Sequence, residues 1–118
     1  MTQFGAHVRE LRERRRLGDR RGFSLRQVAV RVGVEPAYLS KVERGQVPPP
    51  SEATIGRIAD ELGEDRDLLL ALGGKVSSDL QAIVRKRPQL FADLIRQLKA
   101  APDDALLALV RQVREGDW

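Results

Sequence analysis

The sequence contains no cysteine, and its 118 residues include one histidine, His7. A disulfide framework, a thiol nucleophile and a zinc site made of cysteine and histidine are therefore excluded within one chain. We interpret His7, which is close to the N-terminus, as a solvated side chain on a helix face rather than as a member of a catalytic triad. Aromatic residues make up only 4%, so aliphatic residues must form the core. We expect no metal site and no cofactor.

Long hydrophobic runs are missing as well. The longest apolar stretches are residues 68–72 and 105–110, far short of the roughly 18 residues that a membrane-spanning helix needs. The first four residues lack the basic and then apolar pattern of a signal peptide. Hydrophobic residues nevertheless make up 42% of the chain, too many for a disordered protein. We therefore expect a folded cytoplasmic protein with no membrane partner.

Charge is distributed unevenly along the chain, although the net charge is only +4. Residues 1–48 contain 11 basic and 5 acidic residues, whereas residues 49–74 contain 2 basic and 6 acidic ones. Residues 75–118 contain 8 basic and 6 acidic residues. A basic first third followed by an acidic segment indicates a surface that binds a polyanion, because positive potential is concentrated on one part of the molecule.

The spacing of apolar residues predicts helices throughout and no β-strand. Capping residues, prolines and glycines give the approximate starts and ends of these helices. The helices of the first region begin at Thr2, Ser24, Pro36, Ser51 and Asp65 or Asp67, and end near Gly18, Gly33, Gly45, Gly63 and Gly73. Those of the C-terminal region begin at Ser77 or Ser78, Pro88 and Pro102. The glycine pair 73–74 marks a boundary, so we predict domains at 1–74 and 75–118.

Two short predicted helices, residues 24–32 and 36–44, meet at a tight turn. At the start of the first, Ser24 and Gln27 fit a capping box, in which each side chain bonds the backbone N–H of the other residue. Ala29 provides the small side chain that steeply crossing helices need, and Gly33 tolerates the positive φ of the turn. The residues that attach this pair to the core are Val28, Val32, Leu39 and Val42. The second helix then has these residues outward: Pro36, Ala37, Tyr38, Ser40, Lys41 and Arg44.

Residues 23–29 (Phe-Ser-Leu-Arg-Gln-Val-Ala) and 34–45 (Val-Glu-Pro-Ala-Tyr-Leu-Ser-Lys-Val-Glu-Arg-Gly) resemble the helix-turn-helix of the Cro and phage-repressor type, called XRE-like. The resemblance extends over residues 4–72. It implies an all-α fold with a five-helix lambda-repressor-like domain, followed here by a helical C-terminal tail of about three short helices. It also implies a bacterial or phage transcriptional regulator that binds double-stranded DNA, a dimeric repressor on a palindromic operator.

The resemblance further implies that residues 35–44 form a recognition helix, which lies in the major groove and contacts base edges. The base-contacting residues are then Glu35, Pro36, Ala37, Tyr38, Ser40 and Lys41. Lys41 is the best candidate for hydrogen bonds to guanine. The implied phosphate contacts are Ser24, Leu25, Arg26, Gln27 and Arg44. A structural ion pair of the family corresponds to Arg12 and Glu43.

The sequence departs from the family pattern in three places. Leu25 replaces a phosphate-binding glutamine of many phage repressors, so only its backbone can contribute. Glu35 replaces the usual serine or threonine cap, and we interpret its side chain as solvent-facing, with a hydrogen bond from cytosine as the alternative. The segment after the first helix is long and arginine-rich, and forms either a solvated helix end or an extra arm on the DNA. The arginines of this possible arm are Arg15, Arg16, Arg20 and Arg21, next to Arg14.

The C-terminal region contains an apolar stripe that short isolated helices do not tolerate in water. Its members are Phe91, Leu94, Ile95, Leu98, Leu106, Leu109, Val110 and Val113. We favour a homodimer interface over packing against the DNA-binding domain, because a single recognition helix gives too little affinity. Trp118 either belongs to that interface or has no role in it.

The alternative function is an antitoxin-like or adaptor protein whose C-terminal helices bind a protein partner. By family resemblance, such tails also accompany a metallopeptidase or toxin partner. The two functions differ in whether the apolar stripe is buried in a self-dimer or left open. An enzyme is not expected, because the sequence has no glycine-rich phosphate loop, no metal-ligand set and no nucleophile beside a base.

Overall fold

The computed structural model describes residues 3–116, and this part of the chain contains eight α-helices and no β-strand. The helices are α1 (Gln3–Gly18), α2 (Leu25–Val32), α3 (Pro36–Glu43), α4 (Glu52–Leu62), α5 (Arg66–Leu72), α6 (Ser78–Lys86), α7 (Pro88–Ala100) and α8 (Asp103–Glu115). The prediction of an all-α chain with five helices and then three is confirmed. Thr2, the predicted cap, and Trp118 lie outside the described residues.

Helices α1–α5 belong to the first of two compact units, Met1–Ser77. All five helices contribute to one hydrophobic core, and removal of this apolar surface from water is what holds them together. The buried members are Phe4, Val8, Val28, Ala29, Val32, Leu39, Val42, Ile55, Ile58, Ala59, Leu62, Leu69 and Leu70. The four residues that the sequence assigns to the attachment of α2 and α3 are therefore all in the core.

Side-chain caps begin three of the helices in this unit. Ser24 Oγ accepts a hydrogen bond from the backbone N–H of Gln27 at 3.2 Å, and Ser51 and Asp65 cap α4 and α5 in the same way. The reciprocal half of the predicted capping box is not formed. The N–H of Ser24 donates instead to the carbonyl oxygen of Arg21, at 3.4 Å.

Helices α1 and α3 cross with very little space between their backbones. A Cβ atom at Gly5 would lie 2.9 Å from the carbonyl oxygen of Glu43 and closer still to that of Val42. Real Cβ atoms essentially never approach other atoms this closely, so only glycine fits without a shift of the backbone. The position of α1 therefore fixes the C-terminal end of α3.

A second contact connects α1 to the segment between α4 and α5. Nε2 of His7 lies 2.9 Å from Oε2 of Glu64, and the side chain of His7 is 31% exposed. His7 thus lies on a helix face as expected, but it is half-buried and paired with Glu64 rather than fully solvated. The hydrogen bond with His7, together with one from the backbone N–H of Asp65, holds the pKa of Glu64 below its usual range.

Helices α6–α8 belong to the second unit, Ser78–Trp118, and none of their described residues is buried. Within this unit α6 packs against α7. The apolar stripe predicted on α7 and α8 keeps much of its surface in contact with solvent. Its exposed members are Leu94, Ile95, Leu98, Leu109, Val110 and Val113, with exposed fractions from 38% to 54%, and Phe91 and Leu106 are half-buried.

Candidate DNA interface

Helix α3 has a buried side and an outward side. The buried side consists of Leu39, Val42 and Glu43. Ala37, Lys41 and Arg44 are exposed, and their spacing of four and then three residues places them on one face of the helix. We call these three residues the outward stripe. Within residues 3–116 neither Lys41 nor Arg44 forms an ion pair, so both positive charges are available to a ligand.

The other predicted base-contacting residues lie at the start of α3 and beside the outward stripe. Glu35 is the N-cap residue, is exposed, and makes no capping hydrogen bond with its side chain. Pro36 occupies the first turn, and Ser40 is half-buried. Tyr38 packs in part against the core. The structure therefore leaves Glu35, Ala37 and Lys41 exposed and Pro36 and Ser40 half-buried, and it packs Tyr38 in part against the core.

The turn between α2 and α3 depends on Gly33, whose φ of 85° is in the left-handed region. The backbone N–H groups of Gly33 and Val34 both donate to the carbonyl oxygen of Ala29, at 2.9 and 3.0 Å. A Cβ at Gly33 would meet no atom within 4 Å, so the requirement for glycine there is conformational rather than spatial.

The start of α2 presents the residues predicted to contact phosphate. The side chain of Leu25 packs against the core, so only its backbone N–H is available to contact a phosphate. Arg26 and Gln27 are exposed. The N–H groups of the first helical turn have no carbonyl partner within the helix, and the helix dipole makes this end favourable for an anion. Ser24 satisfies the N–H of Gln27 only.

Arg12 and Glu43 form a buried ion pair between α1 and α3. Nε of Arg12 donates to Oε2 of Glu43 at 2.7 Å, and Nη2 donates to Oε1 at 2.9 Å. Nη1 donates to the carbonyl oxygen of Phe23 at 3.3 Å, just before α2. The pKa of Arg12 is raised above its ordinary value, chiefly by the hydrogen bond to Glu43 and against the effect of burial. One guanidinium thus connects α1, α3 and the segment that leads into α2.

A family model described as a helix-turn-helix domain matches residues 3–72, more than half of the chain. The chain belongs to the helix-turn-helix family. The resemblance drawn from the sequence is thereby confirmed at the level of the family. In this domain α2 and α3 are the two helices of the motif, and Gly33 lies in the turn between them.

This helix-turn-helix protein is similar to the uncharacterized HTH-type transcriptional regulator RghRB of Bacillus subtilis (strain 168). The two sequences are 35% identical over 78 residues, which make up 66% of this chain and 52% of RghRB. The chain therefore spans about half the length of the curated relative that it matches. No solved structure matches the chain significantly.

The arginine-rich segment of the helix-turn-helix domain is ordered. Helix α1 continues to Gly18, and the guanidinium of Arg15 lies over the ring of Phe23, 4.9 Å from its centroid. Nη1 of Arg16 lies 3.8 Å from Oε2 of Glu13. Arg20 and Arg21 are exposed on the turn that follows. Arg15 and Arg16 thus have partners inside the domain, and contact of this segment with DNA stays a prediction.

The structure also shows a feature that the sequence analysis missed, a depression of about 180 Å³ between α1, α2 and α3. Its lining residues are Arg9, Arg12, Leu25, Ser40, Glu43 and Arg44. Arg9 has no role in the sequence-based site. The signal that could have found it is its spacing, because Arg9 precedes Arg12 by three residues and therefore lies on nearly the same face of α1.

The described part of the chain contains neither a metal-binding cluster nor a membrane-spanning helix. No group of three or more histidine, aspartate or glutamate side chains is arranged to hold a metal ion among residues 3–116. None of the helices in that range is long and apolar enough to cross a membrane.

Proposed function

We propose that this helix-turn-helix protein is a transcriptional repressor that binds a palindromic operator as a dimer. The observation that carries the proposal is the outward stripe of α3, which is exposed and positively charged while the opposite side of the same helix is buried. In helix-turn-helix proteins the second helix enters the major groove, and its outward side chains contact base edges. The similarity to RghRB, which is named as a transcriptional regulator, supports the same function.

In this proposal the domain divides its DNA contacts between two elements. Residues 35–41 of the recognition helix contact bases, with Lys41 donating to the O6 or N7 atom of guanine and the methyl group of Ala37 against thymine. The first residues of α2 and Arg44 contact phosphates and set the register of α3 on the duplex. Arg26 is exposed close to the free N–H groups of α2, so its charge and those groups can act on the same phosphate.

Lys41→Ala is expected to weaken binding to the cognate operator by about 1–3 kcal/mol and to relax base preference at one position of each half-site. The measurement is fluorescence anisotropy with an operator selected from random duplexes, compared with a random duplex of the same length. Lys75→Ala removes the same side chain from an exposed position outside α3 and serves as the control. An equal loss on operator and random DNA would show that Lys41 does not contact a base.

We further propose that the apolar stripe of α7 and α8 is the dimer interface and that a second copy of this chain covers it. Residues 88–115, which include both helices, contain four acidic and four basic residues, so two copies bring no net charge together. The exposed stripe leaves apolar surface on two 13-residue helices, and helices of this length are marginal in water without burial. Two copies would place two recognition helices about one turn of DNA apart.

Leu98→Asp is expected to convert the dimer into a monomer, because it places a charge within an apolar interface. Sedimentation velocity gives the size, and binding to the palindrome is expected to fall to the level of a single half-site. Leu17→Asp is the matched control, since Leu17 is 88% exposed and lies on α1. If the unaltered protein is itself a monomer, the dimer proposal fails and the stripe is open for a different protein, as in the adaptor or antitoxin-like alternative.

A further inference from the structure

The depression between α1, α2 and α3 brings two arginines together from distant parts of the sequence. Arg9 belongs to α1, and Arg44 is the C-cap residue of α3. Both line the depression of about 180 Å³. Both also line a neighbouring one of about 430 Å³, so they stand on the rim that the two depressions share. Two positive side chains on one rim repel each other, and an anion placed between them offsets this repulsion.

The carboxylates around these depressions are already paired. Glu43 accepts two hydrogen bonds from Arg12, at 2.7 and 2.9 Å. Glu10 pairs with Arg14, and Glu13 lies within 4 Å of a guanidinium nitrogen of both Arg12 and Arg16. The negative charge nearest to the rim is therefore neutralised by other arginines.

Arg9 and Arg44 have no such partner. In the part of the chain that the structure describes, neither forms an ion pair, and Nε of Arg44 donates to the carbonyl oxygen of Ser40 at 3.3 Å. Both side chains are exposed. The rim of the depression thus carries two positive side chains without an ion-pair partner among the described residues, whereas Glu10, Glu13 and Glu43 are each paired.

The depression lies beside the proposed DNA-binding face, so the anion it would bind is a backbone phosphate of DNA. Leu25, at the start of α2, and Ser40, beside the outward stripe, both line it. If a duplex binds to the outward stripe, its sugar-phosphate backbone is therefore expected to lie close to Arg9 and Arg44. The depression of about 180 Å³ is open to solvent, so a phosphate group can approach both arginines on its rim.

We propose that Arg9 and Arg44 together bind one backbone phosphate of the DNA, so that α1 contributes directly to the interface. This inference rests on the proposed function, because it requires a duplex on the outward stripe. Arg9 is a phosphate-contacting residue that sets affinity without selecting sequence. The planar fork of each guanidinium suits the tetrahedral phosphate oxygens, and the two side chains approach it from different helices.

The test uses the full chain and a short random-sequence duplex, with affinity measured by fluorescence anisotropy over a series of salt concentrations. Arg9→Ala is expected to weaken binding to random and operator DNA alike by about tenfold, the order of one hydrogen bond to a charged group. Arg9→Ala combined with Arg44→Ala is expected to reduce the slope of log K against log salt by about one per bound protomer. Arg9→Lys retains the charge and is expected to keep most of the slope.

Arg66→Ala is the matched control, because Arg66 is exposed, lies in the same unit and pairs with Asp60 rather than facing the depression. It changes the net charge by the same amount and is expected to leave affinity and slope close to those of the unaltered protein. If Arg9→Ala behaves like Arg66→Ala while the unaltered protein binds DNA, this inference is overturned and the proposed function stands. If the unaltered protein binds neither duplex, both fail.

Discussion

Arg12→Met is expected to lower the free energy of unfolding by about 3–5 kcal/mol, the cost of leaving one member of a buried ion pair without its partner. Arg12 and Glu43 are 5% and 6% exposed, so the Glu43 carboxylate is only slightly solvated and loses two hydrogen bonds when the guanidinium is removed. The substitution also removes the hydrogen bond from Arg12 to the carbonyl oxygen of Phe23. Urea unfolding followed by circular dichroism measures the change.

The double variant Arg12→Met with Glu43→Leu separates the unpaired charge from the loss of packing. Replacement of a whole buried ion pair by apolar side chains of similar size is often neutral or stabilising. The double variant is therefore expected to recover most of the stability that Arg12→Met loses. If Arg12→Met alone leaves the midpoint of unfolding unchanged, Glu43 is not a buried charge that depends on Arg12.

Gly5→Ala is expected to destabilise the protein by about 3 kcal/mol, the upper end of the usual range for an overpacked site. The added methyl group would lie 2.9 Å from the carbonyl oxygen of Glu43 and closer to that of Val42. Backbone atoms cannot rotate away as a flexible side chain does, so α1 and α3 must move apart. Unfolding in urea gives the stability, and the same samples show whether operator binding falls because the end of α3 has shifted.

Gly18→Ala is the control for this substitution. Gly18 is the last residue of α1, has no positive φ, and a Cβ there would meet nothing within 4 Å. Alanine at such a site stabilises by about 0.4–1 kcal/mol, because it reduces the freedom of the unfolded chain. Opposite signs at two glycines of one helix would identify the close approach of α3 as the cause. Equal effects would mean that α1 and α3 are not in backbone contact at Gly5.

The helix-turn-helix motif could be predicted because its determinants are local. Ala29 and Gly33 stand four residues apart, and the alternation of inward and outward residues on α3 follows from the helical period alone. Family resemblance then supplied the expected roles of residues such as Lys41. The all-α fold class followed from the same periodicity over the whole chain.

The features that the sequence did not reveal depend on where distant segments meet. Gly5 reads as an ordinary helical residue until α3 lies against it, and the contact of His7 with Glu64 joins residues that are far apart in the chain. The proposed phosphate contact of Arg9 could not be predicted, because it depends on Arg44 lining the same depression. The backbone N–H of Ser24 donates to the carbonyl oxygen of Arg21 instead of to the side chain of Gln27. The spacing of Ser24 and Gln27 alone could not predict this competing acceptor.

Helix α3 is held in the domain by one set of residues and exposes a different set to solvent. The residues that hold the helix in place, Leu39, Val42 and Glu43, are all on its inner side. Exchange of Ala37 or Lys41 for other side chains is therefore expected to leave the scaffold intact, and under the proposed function it alters which bases are preferred. A library randomised at these two positions is therefore expected to consist mostly of folded variants, among which altered base preference can be selected.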